Sequence, residues 1–216
     1  MKIRTLLAVA LLAPAVALAA PASKSSAAPA ASSSPTAGTA LEGLEVGGFI
    51  GYETADLSGL SLRLDGELPF RTLTQPGATT PVKLSWVGSL GYSYLTWDPI
   101  PSAKMTANVF KLVPAARFTM PVNEKFSVFG DAGLGLAYIS TSVDFASWTG
   151  LGSASDSSLN IMMRLGVGAF YQVNPQFRVG GMLELDPVFG NYGYSGNGIG
   201  KSQNTFLIQA GGMYRL

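Results

Sequence analysis

The stretch Thr205–Leu216 reads T-F-L-I-Q-A-G-G-M-Y-R-L and carries the alternation that decides the fold. Every second residue from Phe206 to Leu216 is apolar, glycine or tyrosine, while the residues between them run from Leu207 to Arg215 and include polar ones. Successive side chains of a β-strand point to opposite faces, so this pattern predicts a strand with one apolar face. On this stretch alone, a half-buried strand of a soluble protein and a membrane strand fit equally well.

The same period of two continues through most of the chain after residue 41, and it predicts an all-β fold. Charged residues stay on the less apolar parity, as Arg63, Asp65 and Glu67 do in the second strand. The strand lengths suit tilted membrane strands, which need about 9 to 11 residues to cross the bilayer. The predicted strands are 44–53, 59–70, 82–97, 108–120, 126–141, 158–173, 177–189 and 204–216.

Composition excludes several classes of function. Charged residues make up 12% of the chain, about half the usual share of roughly 25%. The absence of cysteine and histidine rules out disulfides, thiolate metal sites, ordinary zinc sites and Ser-His or Cys-His catalysis. The formal net charge of +1 gives no reason to expect a nucleic-acid partner. We therefore predict no cofactor and no metal.

The first forty residues have the composition of targeting and linker segments. Lys2 and Arg4 precede an apolar run from Leu6 to Leu18, and Ala17-Leu18-Ala19 is a small-x-small cleavage site. Residues 1–19 are thus predicted to be a signal peptide, because the run is short and broken by Pro14, unlike a membrane anchor. The Ala-, Ser- and Pro-rich residues 20–40 are predicted to be a disordered linker.

Alternation alone does not say whether the apolar faces point into a core or out to lipid, but three features favour lipid. First, aromatic residues of the apolar parity gather near strand ends, as in the girdles of membrane barrels. These residues are Tyr52, Phe70, Tyr92, Tyr94, Phe118, Phe126, Tyr138, Tyr171, Phe177 and Tyr214. Second, tight turns at 121–125 and 174–176 contrast with long loops at 144–157 and 190–203. Third, the polar parity is rich in glycine and suits a crowded barrel interior.

Two features fit this prediction less well. Residues 71–81 are long for a turn on the periplasmic side. Pro114 lacks the backbone N–H that a ladder needs, so we expect a bulge in the fourth strand.

With these residues in place, 41–216 resembles the small eight-stranded outer-membrane β-barrels of the OmpA and OmpX kind. Tyr214 and the apolar terminal Leu216, which replaces the usual Phe, match the assembly signal of such barrels. The resemblance implies an eight-stranded antiparallel up-and-down transmembrane β-barrel, monomeric and filled by side chains. It also implies Sec-dependent export, insertion by the barrel-assembly machinery, residence in the outer membrane, and contact with its lipid bilayer and lipopolysaccharide.

Charged residues of the polar parity predict an ion-pair network in the lumen. Folding the chain about Asn174-Pro175-Gln176 places Arg164 opposite Asp186 and diagonal to Glu184, and Arg117 falls within a diagonal step of Asp131. The predicted members are Arg63, Asp65, Arg117, Asp131, Arg164, Arg178, Glu184 and Asp186. The competing hypothesis takes Glu184 and Asp186, about 7 Å apart along one face, as a general acid and base.

One loop resembles a phosphate-binding P-loop. Ser195–Ser202 reads S-G-N-G-I-G-K-S, but its first residue is not glycine and a strand rather than a helix follows it. We expect a flexible external loop there.

The sequence therefore favours a non-enzymatic outer-membrane barrel with a structural or surface role in anchoring, adhesion or envelope integrity. Two alternatives stay open. One is a narrow conduit or a binder of small hydrophobic ligands. The other is a lipid-modifying enzyme or protease that uses carboxylates at the barrel rim. Trp97, Phe145 and Trp148 are candidate contacts with lipopolysaccharide or a partner.

Overall fold

A computed structural model describes residues 43–55, 57–73, 81–100, 103–145, 152–190 and 203–216. The expected signal peptide, the expected linker, Trp148 and the P-loop-like segment lie outside the described residues. Across the described ranges, no helix is long and apolar enough to cross a membrane.

Eight antiparallel strands form a closed barrel in which each strand pairs with its neighbours in sequence and β8 pairs back to β1. This confirms the predicted all-β, up-and-down fold. The strands are β1 (Glu45–Thr54), β2 (Ser58–Leu73), β3 (Val82–Ile100), β4 (Ala103–Pro121), β5 (Phe126–Phe145), β6 (Ser153–Asn174), β7 (Phe177–Phe189) and β8 (Gln203–Arg215).

The period of two decides which face of each strand is inside. In β1, Glu45, Phe49 and Glu53 are buried while Ile50 and Tyr52 are exposed. The same phase holds around the barrel, where the outward side chain of Leu134, for example, is 64% exposed. An apolar outer surface with charged residues inside is the reverse of a soluble protein, and it is the arrangement of a membrane barrel.

The two ends of the barrel differ. At one end, called here the turn end, β4 joins β5 through 122–125 and β6 joins β7 through 175–176. The opposite end, called here the loop end, carries the connections 55–57, 101–102, 146–152 and 190–202. The first two of these are short, so the predicted contrast between tight turns and long loops holds only in part.

The prediction of a long loop over 144–157 is wrong for its described residues, because 144–145 and 153–157 are strand. Asp144 pairs with Ser153, and β5 and β6 stay paired from there to the turn end. Ser and Thr occupy both parities in this segment, so the alternation of apolar residues that revealed the other strands is hidden. Likewise β4 begins at Ala103, five residues before the predicted start at 108.

The predicted bulge at Pro114 is also wrong. Pro114 pairs with Gly88 in an unbroken β3–β4 register, and the β4–β5 register is the same on either side of it. The missing donor costs ladder contacts with β5 at this point but does not shift the strand. A bulge occurs instead at Phe70, between Pro69 and Arg71. The ring of Phe70 stacks on Trp86, with 5.1 Å between ring centroids.

Apolar side chains fill the barrel interior in two clusters that the sequence analysis did not foresee. The cluster in the loop half contains Leu57, Leu95, Met105, Ala107, Val109, Val113, Ala137, Ile139, Met162 and Val188. The cluster in the turn half contains Phe49, Phe129, Phe170, Met182 and Met213. The charged side chains of the lumen lie among these clusters, since Lys111 alternates with Val109 and Val113 on β4 and Arg178 packs on Phe170.

Candidate functional site in the barrel lumen

The lumen collects charged side chains because they occupy the inward parity of their strands. β2 contributes Arg63, Asp65 and Glu67 at alternate positions, and β7 contributes Glu184 and Asp186 in the same way. All five are buried. Neighbouring strands are about 4.8 Å apart, so long side chains can reach across the barrel as well as along its wall.

Arg63 lies at the centre of the network and joins three strands. Its Nε is 2.6 Å from Oδ1 of Asp65, and its Nη2 is 3.3 Å from Oδ2 of Asp131. Its Nη1 forms an ion pair across the barrel with Glu184. Because a guanidinium offers five donors in a fixed plane, one arginine can hold three carboxylates at once.

Arg117 forms a second junction beside Arg63. Its Nη2 is 2.7 Å from Asp131 and 3.2 Å from Asp65, and its Nη1 is 2.9 Å from Glu67. The register places Arg117 directly opposite Asp131, which is closer than the diagonal step expected from the sequence. Arg63 and Arg117 therefore share two carboxylates.

The network continues into the loop half through Arg164. Pairing of Met162 with Val188 and of Leu165 with Leu185 brings Arg164 level with Asp186. Its Nε is 3.0 Å from Oε1 of Glu184 and 3.5 Å from Oδ1 of Asp186.

Lys111 extends this branch. Its Nζ is 3.0 Å from Asp186 and 2.9 Å from Oε1 of Glu53. Glu53 is completely buried. The loop-half branch thus ends on a carboxylate that is shielded from solvent by the surrounding side chains.

The branch toward the turn end does reach solvent. Arg178 bridges two carboxylates, with Nη2 2.6 Å from Glu67 and 2.7 Å from Glu45. Glu45 also pairs with Lys83 at 3.1 Å and with Arg215 at 3.0 Å. The side chains of Lys83 and Arg215 are 26% and 50% exposed. Within the described residues, the charged interior therefore opens at the turn end only.

The structure joins all eight residues expected in the lumen and adds six that sequence reasoning missed. The added residues are Glu45, Glu53, Glu67, Lys83, Lys111 and Arg215. Each lies on the inward parity of its strand, and that signal was present in the sequence.

The network is electrically balanced. Seven acidic residues, Glu45, Glu53, Asp65, Glu67, Asp131, Glu184 and Asp186, meet seven basic ones, Arg63, Lys83, Lys111, Arg117, Arg164, Arg178 and Arg215. Removing charges from water costs several kcal/mol per ion, which mutual pairing must offset. Equal numbers allow that offset throughout the lumen.

Aromatic rings pack against the cations of the turn half. The guanidinium of Arg117 lies 4.6 Å from the ring centroid of Phe129, and that of Arg178 lies 4.0 Å from Phe170. The two rings stack with 4.5 Å between centroids. Such cation–π contacts favour burial of the two arginines beyond their ion pairs.

The described residues contain no group of three or more His, Cys, Asp or Glu side chains that could hold a metal ion. Glu184 and Asp186, the alternative acid and base, are buried and engaged by Arg63, Arg164 and Lys111. Among the residues that the structure describes, the geometry provides ion pairing across the barrel and leaves these carboxylates no open approach for a substrate.

The expected girdle residues lie on the outer face. Tyr92 and Phe177 are half-buried and the other eight are exposed. Of the expected assembly signal, Tyr214 and Leu216 both point outward, at 44% and 68% exposure. The Tyr214 hydroxyl donates a hydrogen bond to Oε1 of Gln176 at 3.3 Å.

Comparison with solved structures identifies the architecture. Neisserial surface protein A matches with a TM-score of 0.54 and 15% identity, over 81% of this chain and 98% of that one. A major outer membrane protein from Thermus thermophilus matches with a TM-score of 0.50 and 16% identity, over 80% and 99%. No protein-family model and no curated protein sequence matches. The closed ring of eight antiparallel strands, apolar outside and charged inside, is thus the fold of the small outer-membrane β-barrels, as the sequence resemblance implied.

Proposed function

We propose that this protein is a sealed outer-membrane barrel that acts through its outer and surface-exposed faces, in a structural or anchoring role, and neither conducts solutes nor catalyses a reaction. After export and cleavage of residues 1–19, the assembly machinery would read Tyr214 and Leu216 and insert the barrel as a monomer. The observation that carries the proposal is the lumen, where the described residues form buried ion pairs across the barrel and two clusters of buried apolar side chains.

Residence in a membrane is supported by the height of the apolar outer belt. On β4 the outward side chains of Phe110, Leu112, Phe118 and Met120 are all exposed. Ten residues of strand rise roughly 33 Å along the strand, and a tilt of about 40° reduces this to about 25 Å along the membrane normal. That height equals the height of the apolar band on an outer-membrane barrel.

A sealed barrel is supported by the position of the charges relative to the apolar clusters. The loop-half cluster includes Leu95, Val109 and Val113, none of which is measurably exposed. Leu95 pairs in register with Ala107, which is four residues nearer the loop end than Lys111. A solute that entered from the turn end would have to break ion pairs of Arg117 and Arg63 and then cross this apolar layer.

A non-catalytic role is supported by the burial and the ion pairing of the lumen carboxylates. Hydrolysis of lipid or peptide at the rim would need an acid or base that a substrate can reach. Glu184 and Asp186 are 1% and 0% exposed and are held by three cations.

The proposal is tested by three measurements on the full chain. Membrane fractionation should place it in the outer membrane. An unboiled gel should show a faster-migrating folded band that disappears on heating. Planar bilayers should show no discrete conductance steps. Stable steps would establish the conduit alternative, and soluble protein without a heat-sensitive band would overturn membrane residence.

A further inference from the structure

Within the described residues, Lys111 is the only lysine whose side chain is buried. Its Nζ lies 2.9 Å from both carboxylate oxygens of Glu53 and 3.0 Å from Oδ2 of Asp186. The three side chains come from β4, β1 and β7, so their contact crosses the lumen. An amine held against two carboxyl groups has the components of an amide bond as well as those of an ion pair.

Lys111, Glu53 and Asp186, called here the lysine triad, are shielded from water. The side chains of Glu53 and Asp186 are 0% exposed and that of Lys111 is 2% exposed. Val109 and Val113, on either side of Lys111 along the inward face of β4, belong to the buried loop-half cluster. Because water is excluded, an amide formed here is protected from hydrolysis. A neutral amide also avoids the desolvation cost that a buried ion pair carries.

The groups around the amine have the positions that amide formation requires. Glu53 touches Nζ, so its carboxylate can take a proton from the ammonium and leave a nucleophilic amine. Oδ1 of Asp186 lies 3.5 Å from Nε of Arg164, and neither atom has a hydrogen-bond partner among the described residues. The guanidinium of Arg164 would stabilise the negative charge that develops on Oδ1 when Cγ becomes tetrahedral.

We propose that Lys111 and Asp186 form an intramolecular isopeptide bond once the barrel has closed, with Glu53 as the proton carrier. Two protons move from Nζ through Glu53 to Oδ2, the bond between Nζ and Cγ forms, and the bond between Cγ and Oδ2 breaks. One water molecule leaves, and Glu53 is regenerated as a carboxylate. The reaction needs no oxidant or co-reactant, and it happens once in each molecule without turnover of a substrate.

The bond would join two strands that share no ladder, since β4 pairs only with β3 and β5. It closes a covalent loop over residues 111–186, which contains β5 and β6. A closed loop restricts the unfolded chain and so favours the folded barrel. One positive and one negative charge disappear together, so the charge balance of the lumen is kept.

Intact-mass measurement on the full chain purified from membranes tests the bond. Lys83→Arg is the matched control for Lys111→Arg, because Lys83 also forms an ion pair in the lumen, with Glu45, and the two variants have the same elemental composition. We expect Lys83→Arg to be lighter than Lys111→Arg by one water molecule, wherever the mature chain begins. Equal masses would overturn the inference.

Glu53→Gln tests the proton carrier, since an amide side chain keeps the size of Glu53 but cannot accept the proton. We expect this variant to lack the bond and to show the full mass of its sequence. An unboiled gel would verify that it is folded. A folded Glu53→Gln variant that still forms the bond would overturn the role of Glu53.

Tryptic digestion of the wild type gives a test that needs no variant. Trypsin does not cleave after an acylated lysine, so the peptide 105–117 should appear joined to the peptide 179–201, with the loss of one water molecule. Recovery of 105–111 and 179–201 as separate peptides, without the joined species, would overturn the inference.

Discussion

Arg117 lies directly opposite Asp131 across the β4–β5 pair, and 2.7 Å separates Nη2 from Oδ2. Both side chains are fully buried. The pair is neighbouring in the sheet, yet Arg117 also reaches Asp65 and Glu67 on β2. Arg117 thus links the β4–β5 pair to β2, which lies on the other side of β3.

Replacing Arg117 with Met should destabilise the folded barrel by about 3 to 5 kcal/mol, because three buried carboxylates would lose a cation. Arg215→Met is the matched control, since its side chain is half exposed, and it should cost about 1 kcal/mol or less. Urea unfolding in lipid vesicles, followed by tryptophan fluorescence, measures both. A similar cost for the two variants would contradict the central role of Arg117.

Leu134→Arg should cost roughly 2 to 4 kcal/mol, because Leu134 faces lipid near the middle of β5 and a charge there must leave water for hydrocarbon. Leu183→Tyr, also on the outer face, should be mild. The same unfolding assay compares them. If Leu134→Arg proved harmless, the outer face would not be in contact with lipid.

Gly211→Ala should reduce the yield of folded barrel, since a Cβ there would lie 2.1 Å from the backbone oxygen of Gly48. Gly66→Ala is the control, because nothing lies within 4 Å of a Cβ at that position. The fraction of faster-migrating protein on an unboiled gel gives the outcome. Normal folding of Gly211→Ala would mean that β1 and β8 can separate more than the structure indicates.

The mature protein should begin at Ala20. Mass spectrometry of protein purified from membranes would test this, and an intact Met1 would rule out cleavage after Ala19.

The sequence was sufficient for the number of strands and for their outward faces, because a period of two identifies the more apolar face of each strand, but not for the loop ends of β4, β5 and β6. It was insufficient for the interior. Phe170 and Met182 lie on the polar parity, and nothing local distinguishes an inward phenylalanine from a chance exception. The role of Phe170 depends on Arg117 and Arg178, which come from other strands.

The lumen network shows the same limit. The turn at 174–176 set the register of β6 and β7 and so brought Arg164 beside Asp186. Lys111 and Glu53 lie on strands that are not neighbours, and only closure of the barrel brings their side chains together. Contacts across a lumen depend on the curvature of the whole ring. The register of each hairpin, taken one pair of strands at a time, does not predict that curvature.

Glu45 connects the first strand to the last. Its carboxylate forms ion pairs with Arg178 of β7 and Arg215 of β8. The backbones of β1 and β8 are paired in register at ten positions. Until that seam forms, the carboxylate of Glu45 lacks the cations of the C-terminal strands. The joining of β1 to β8 is therefore a step of charge pairing as well as of hydrogen bonding, and a chain truncated before β8 would lose the Arg215 partner of Glu45 at the edge of an open sheet.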